Sequence, residues 1–187
     1  MADQASEGLL SPWLRRRRFE AATPYMKGKV LDFGCGSGAL AALIPAGRYL
    51  GVDIDGVSLQ QARRHFPGHS FVPELSGQQK KFDTVISLAV IEHVDDPSGF
   101  LRTLAGCLNE SPGSRVVIST PHPAVDWVHG LGAAAGLFSK HANDEHEDLL
   151  DRAKLEMVGD QAGLKLASYS RFLFGANQIA VYAKRTS

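Results

Sequence analysis

The sequence predicts a single α/β domain built on a doubly wound, mostly parallel sheet with helices on both faces. Short β-rich runs alternate with helical patterns along most of the chain, as they do when crossover helices join parallel strands. The tail breaks that rule: the strand-like runs 164–172 and 178–183 are separated only by the short stretch 173–177, with Gly175, Ala176 and Asn177 as the connection. A link that short cannot hold a crossover helix, so these two strands pair antiparallel. A chain of 187 residues is the right length for one such domain, residues 1–187.

The elements follow in order. Ser11-Pro12 reads as a helix N-cap followed by proline at the first helical position, opening a helix over about 11–25. Residues 29–33 are an apolar run suited to a buried strand, entering the turn Gly34-Cys35-Gly36-Ser37-Gly38. A helix is expected over 39–44, stopped by Pro45 and Gly47. Residues 49–52 form the second strand. Leu59, Ala62 and Phe66 recur at helical spacing up to Pro67-Gly68. Strands are expected over 70–72 and 82–88. Asp96-Pro97 starts another helix, with Phe100, Leu101, Leu104 and Leu108 as its buried stripe. A fifth strand covers 115–119, and Leu149, Leu150, Ala153 and Met157 mark a last helix ending near Gly163. This makes five β-α units followed by a hairpin. Residues 121–146 lack a clear period and read as a lid or insertion.

Composition narrows the function classes. Apolar residues make up 44% and charged residues 21%, ordinary values for a globular protein. Lys plus Arg and Asp plus Glu number 20 each, so no global field favours nucleic acid, and none is expected as a partner. No run of about 18 apolar residues suggests a membrane span, and the first residues lack the apolar stretch of a secretory signal. The two cysteines, Cys35 and Cys107, give neither a disulfide framework nor a zinc pattern. A reducing, cytoplasmic setting is expected, and no metal is expected.

The chemistry concentrates at the glycine turn. Glycines at 34, 36 and 38 let the backbone turn sharply and let a ligand approach closely. Gly34, Gly36 and Ala39 also fit the permissive form of the nicotinamide-dinucleotide fingerprint, so the glycines alone leave two cofactors open. Asp32 stands just before them, where it would repel a pyrophosphate but attract an ammonium and a sulfonium. Asp53, ending the second strand, can accept both hydroxyls of a ribose in either case, with Asp55 and Ser58 better placed to cap the next helix.

Val30-Leu31-Asp32-Phe33-Gly34-Cys35-Gly36-Ser37-Gly38 resembles the first motif of class I S-adenosylmethionine-dependent methyltransferases. Gly51-Val52-Asp53-Ile54-Asp55 is similar to their second-strand motif. Phe82-Asp83-Thr84-Val85-Ile86-Ser87-Leu88 with Ile91-Glu92-His93-Val94 is similar to their fourth strand and the turn after it. The three stand in the family's order over the first two-thirds of the chain. The resemblance implies strand order 3-2-1-4-5-7-6, with an antiparallel strand 7 between strands 5 and 6. It implies S-adenosyl-L-methionine as cofactor, with Asp32, Gly34, Cys35, Gly36 and Gly38 at the turn and Asp53 on the ribose. Glu74 falls where the family contacts the adenine amino group, although a solvated loop glutamate reads equally well there. Ile54 and Leu75 would sandwich the adenine, and Leu88 would touch the cofactor from strand 4.

Ligands of such sheets bind beyond the carboxyl ends of the parallel strands. That places His122 and Asn177 as candidate substrate contacts, with His93 and His146 as candidate catalytic groups. A structural role for His93 within the active-site turn, and capping of the last helix beside His146 by Asn143 and Asp144, are the plainer accounts. The run Arg15 to Arg18 reads as a solvated helix face, from which one arginine could reach the methionyl carboxylate. Trp13, Trp127, Phe138, Phe172 and Phe174 could form an apolar acceptor pocket or simply pack in the core. The expected reaction is in-line methyl transfer to a small-molecule acceptor, at an oxygen or a nitrogen. Two other classes stay in view: a catalytically silent module that binds the cofactor or a partner, and a nicotinamide-dependent oxidoreductase.

Overall fold

The computed structural model describes residues 11–75, 81–123 and 150–185. Its centre is a seven-stranded sheet in the order β3-β2-β1-β4-β5-β7-β6. The strands are β1 (Val30–Phe33), β2 (Tyr49–Val52), β3 (Ser70–Val72), β4 (Thr84–Leu88), β5 (Arg115–Pro121), β6 (Leu164–Phe172) and β7 (Asn177–Lys184). β1 to β5 pair parallel, whereas β7 runs antiparallel to both β5 and β6. The helices are α1 (Ser11–Ala22), α2 (Gly56–His65), α3 (Pro97–Gly106) and α4 (Arg152–Gln161).

Period-two alternation along the strands builds two cores. Leu31, Val85, Val116, Ile118, Ala180 and Tyr182 join Leu101 and Leu104 of α3 and Leu155 and Val158 of α4 on one face. Their neighbours Val30, Ile86, Val117, Ile179 and Val181 join Ala22 of α1 and Leu59 and Ala62 of α2 on the other. Successive side chains of a strand point to opposite faces, so runs such as Val116-Val117-Ile118 serve both cores at once. That is why these strands read as unbroken apolar runs.

Helix starts follow their caps. Asp55 accepts from the Val57 and Ser58 amides at the head of α2, and Asp96 accepts from the Gly99 amide at the head of α3. Asp151 does the same for the Lys154 amide at the head of α4.

The structure corrects several sequence expectations. The segment after the glycine turn is a 3-10 helix, Ala39–Leu43, because Gly38 and Pro45 leave too little chain for α-helical turns. No helix occurs between β3 and β4 among the described residues, and residues 76–80 lie outside them. β4 starts two residues late because Asp83 uses its carboxylate on the Lys29 amide and the Asn109 side chain, while Phe82 makes only an isolated bridge with Leu108. The stripe of α4 is Leu155, Val158 and Gly159; Met157 and Ala153 face solvent. Asp151 begins that helix, and Leu150 is buried just ahead of it, so the period counted from Leu150 was out of phase. Pro121 belongs to β5, opposite Asn177, and not to a lid. The rest of the expected lid, residues 124–146, lies outside the described residues.

Candidate active site

The carboxyl ends of β1, β2 and β4 converge on the glycine turn. The Gly34 and Cys35 amides both donate to Val52 O at the end of β2, at 2.8 and 3.0 Å. Asp53 then fixes the turn: Oδ2 accepts from the Gly36 amide at 2.7 Å and Oδ1 from the Asp55 amide at 2.9 Å. An ionised carboxylate has about four acceptor positions, so both oxygens keep room for a further donor such as a ribose hydroxyl.

The turn glycines are required for different reasons. A Cβ on Gly34 would lie 2.5 Å from Val90 Cγ2, so this glycine admits the chain leaving β4. On Gly38 it would lie 2.7 Å from the Phe71 ring and 2.9 Å from Ala62, so that glycine lets α2 and β3 pack against the turn. At Gly36 nothing stands within 4 Å. Close approach of a ligand therefore explains Gly36, whereas Gly34 and Gly38 answer to the protein's own packing.

Beside the turn lies a cavity of about 880 Å³, within the roughly 300–1,000 Å³ usual for small-molecule sites. Gly34, Asp53, Ile54, Glu74, Leu75 and Leu88, all predicted from sequence, line it together with Phe33, Ala89 and Val90. Ile54 is 96% exposed, an apolar side chain left in water at the rim. The wall that sequence reasoning missed is α3, which contributes Phe100, Thr103 and Gly106. Phe100 was read as core, yet it is only half-buried and meets Phe33 edge-to-face at 5.7 Å. Its place just outside the Leu101–Leu104 stripe was the available signal.

Three predicted turn residues do not line the cavity, Asp32, Cys35 and Gly38, and Gly36 borders it only through its bond to Asp53. Asp32 alternates to the opposite sheet face from Phe33, where it is buried and accepts from Tyr49 Oη at 2.7 Å. The carboxylate expected to attract a cationic ligand thus also makes an internal bond. Burial pushes its carboxyl up to about 7, against the Tyr49 hydrogen bond, with Asp53 adding a smaller upward push. The Cys35 thiol is buried and donates to Gly36 O at 3.7 Å. Burial and the Asp32 and Asp53 charges raise it far above an ordinary thiol, so it is no nucleophile.

The ends of β4, β5 and β7 form a second, polar region. His93 is exposed on the single turn Ile91–His93, and its amide donates to Val90 O at 2.9 Å. His122 follows β5, with its amide on Ala176 O at 3.0 Å. Burial first and then Arg171 lower its imidazole from the ordinary value, against Asp151. Asn177 is buried and accepts from Arg18 Nε at 3.3 Å. Arg16 and Arg17 pair with Glu20 on the outer side of α1, at 2.9 and 2.5 Å, so Arg18 is the one that turns inward. Burial lowers its guanidinium, offset by attraction to Glu92. Glu92 itself is pushed up by burial, against its own amide, the Thr120 hydroxyl, His93 and Arg18. Phe172 packs into the α1 and α2 core and Phe174 stands fully exposed. His146, Trp127 and Phe138 lie outside the described residues.

Comparison with known proteins places this geometry. Residues 7–169 match the family model described as a methyltransferase domain. The ubiquinone biosynthesis O-methyltransferase of Idiomarina loihiensis is 31% identical over 160 residues, covering 78% of this chain and 65% of that protein. The tRNA U34 carboxymethyltransferase of Methylococcus capsulatus is 36% identical over 120 residues, covering 57% and 36%. Among solved structures, the magnesium protoporphyrin IX methyltransferase of Synechocystis PCC 6803, with bound SAH, superposes with a TM-score of 0.64 at 21% identity, over 93% of this chain and 80% of that one. The chain spans about two-thirds or less of the curated relatives it matches.

Proposed function

Since the chain belongs to the methyltransferase-domain family, we propose that it transfers a methyl group from S-adenosylmethionine to a small-molecule acceptor. The observation that carries this reading is Asp53, held by the Gly36 and Asp55 amides at the mouth of a largely apolar cavity. A fixed carboxylate beside apolar walls suits a nucleoside: hydroxyls to Asp53, a flat base between Ile54 and Leu75. Glu74 at the same rim is available to an amino group on that base. The open side of Gly36 gives a chain beyond the ribose room to pass. The bound cofactor supplies an electrophilic methyl group on sulfur. The protein's part is then to orient and desolvate, since an in-line displacement gains most from positioning.

The acceptor is read as a small molecule because the chain carries no net charge, and a long nucleic acid needs a basic groove. No helix among the described residues is long and apolar enough to cross a membrane.

Calorimetry with S-adenosylhomocysteine tests the reading. Saturable binding is expected, and Asp53→Ala is expected to weaken it by about ten- to a hundredfold, since it removes charge-assisted bonds worth about 1.5–3 kcal/mol. Binding that is absent, or indifferent to Asp53→Ala, would defeat the proposal. Turnover to S-adenosylhomocysteine with a small-molecule extract, and none with added transfer RNA, is the matching outcome for the acceptor class.

A further inference from the structure

A group of buried polar atoms beyond the β4 turn takes no part in the donor cavity. Glu92 Oε2, Ser119 Oγ and Thr120 Oγ1 are sealed from solvent and complete no hydrogen bond among the described residues. Ser119 and Thr120 are fully buried at the end of β5. The Thr120 hydroxyl lies close enough to favour the charged form of Glu92, yet the bond is not made. Buried polar atoms are almost always paired, because leaving one unpaired is expensive. Glu92 Oε2 and Thr120 Oγ1 lie together at the edge where ligands of such sheets bind and call for a ligand that completes them, whereas Ser119, the neighbour of Thr120 on β5, faces the other side of the sheet.

We infer that Glu92 receives the proton of a hydroxyl-bearing acceptor, so that the atom methylated is an oxygen of an alcohol or phenol. The inference rests on the methyl-transfer reading above. Position supports it first: Glu92 stands one short turn after Ala89 and Val90, both of which line the donor cavity. Its charged surroundings support it next. Arg18 of α1 attracts Glu92 but gives its Nε to Asn177 of β7 and forms no ion pair with the carboxylate, which leaves Oε2 unsatisfied. That guanidinium disfavours an ammonium acceptor and tolerates a neutral hydroxyl. The Thr120 hydroxyl can donate or accept, which suits a second oxygen on the acceptor. Burial finally gives Glu92 more appetite for a proton than an ordinary glutamate has, as a base for this task needs.

The step balances. The acceptor oxygen bonds to the methyl carbon, the carbon–sulfur electron pair stays on sulfur, and the O–H proton passes to Glu92 Oε2. A sulfonium and a carboxylate become a neutral thioether and a carboxylic acid.

The test uses the full chain, deuteromethyl S-adenosylmethionine and a small-molecule cell extract as the acceptor probe. The wild type is expected to place label in base-stable methyl ethers. Glu92→Gln is expected to keep S-adenosylhomocysteine affinity within about threefold by calorimetry but to lose about a hundredfold or more in labelling near neutral pH. Its rate on a phenolic acceptor should recover at high pH, where a phenol ionises unaided; a merely structural defect gives no such recovery. Carboxyl-carbon NMR, assigned by difference from Glu92→Gln, should show Glu92 titrating above the ordinary glutamate range. Label on nitrogen or in base-labile esters, an unchanged pH profile of phenol labelling in Glu92→Gln, or an ordinary Glu92 titration each overturns the inference while leaving methyl transfer standing. A wild type that neither binds S-adenosylhomocysteine nor labels anything overturns the methyl-transfer reading and this inference with it.

Discussion

Gly34 and Gly36 separate two demands that one motif combines. Both sit at positive φ, 81° and 51°, so any L-residue pays backbone strain of about 1–2 kcal/mol at either. Only Gly34 adds a collision, with Val90 Cγ2 at 2.5 Å from the site of a Cβ, and overpacking of that kind costs about 1–3 kcal/mol more. Gly34→Ala is therefore expected to lower stability by about 2–5 kcal/mol in urea unfolding, and Gly36→Ala by about 1–2 kcal/mol. Binding should rank them the other way per unit of stability lost, because Gly36 is the position open to the ligand. Equal destabilisation by the two substitutions would show that φ alone governs the turn. The pattern of glycines was visible in the sequence, but their separate reasons were not, since Val90 meets Gly34 only after β4 is laid beside β1.

Elements were legible where local chemistry decides them. Asp55 and Asp96 each start a helix as short polar caps do, and the brief turn between β6 and β7 gave the antiparallel tail. Legibility failed where a contact distant in sequence decides. Arg18 looks like its three neighbours until Asn177, 159 residues away, turns it inward. The α3 wall of the cavity was hidden because a half-buried Phe100 reads the same as a buried one. Gly159 is a case of tertiary contact overriding propensity. Within an exposed helix Gly→Ala gains about 1 kcal/mol, yet a Cβ here would stand 2.5 Å from Tyr182 Cε1. Tyr182 is fully buried and donates its hydroxyl to Leu155 O at 2.9 Å, so it cannot retreat without losing that bond. Gly159→Ala is expected to destabilise by about 1–3 kcal/mol despite the better helix former. A gain in thermal stability would mean that α4 slides freely on β7.

The stability of the whole molecule should carry the signature of one buried carboxyl. Asp32 has an ordinary value of 3.8 when the chain is unfolded and about 7 in the fold, raised by burial. Between those values the folded state holds a proton that the unfolded state has released. Stability contributed by that proton is therefore full below about pH 4, falls as pH rises toward 7, and is gone above it. The full difference is on the order of 4 kcal/mol, at about 1.36 kcal/mol per unit. The hydrogen-bonded carboxylates Asp55, Asp83 and Asp96 are lowered by their partners and act in the opposite direction, but only below their ordinary range near pH 4. Glu92 is raised like Asp32 and adds to the same fall, so the difference from a variant isolates the Asp32 share. Asp32→Asn cannot titrate, and its side-chain oxygen can still accept from Tyr49. Urea unfolding from pH 5 to 8 should show the wild type losing stability relative to Asp32→Asn, with the gap closing as pH falls. Parallel curves across that window would mean that Asp32 stays ionised in the fold and that the Tyr49 hydroxyl, with the sheet around it, offsets the cost of burying the charge.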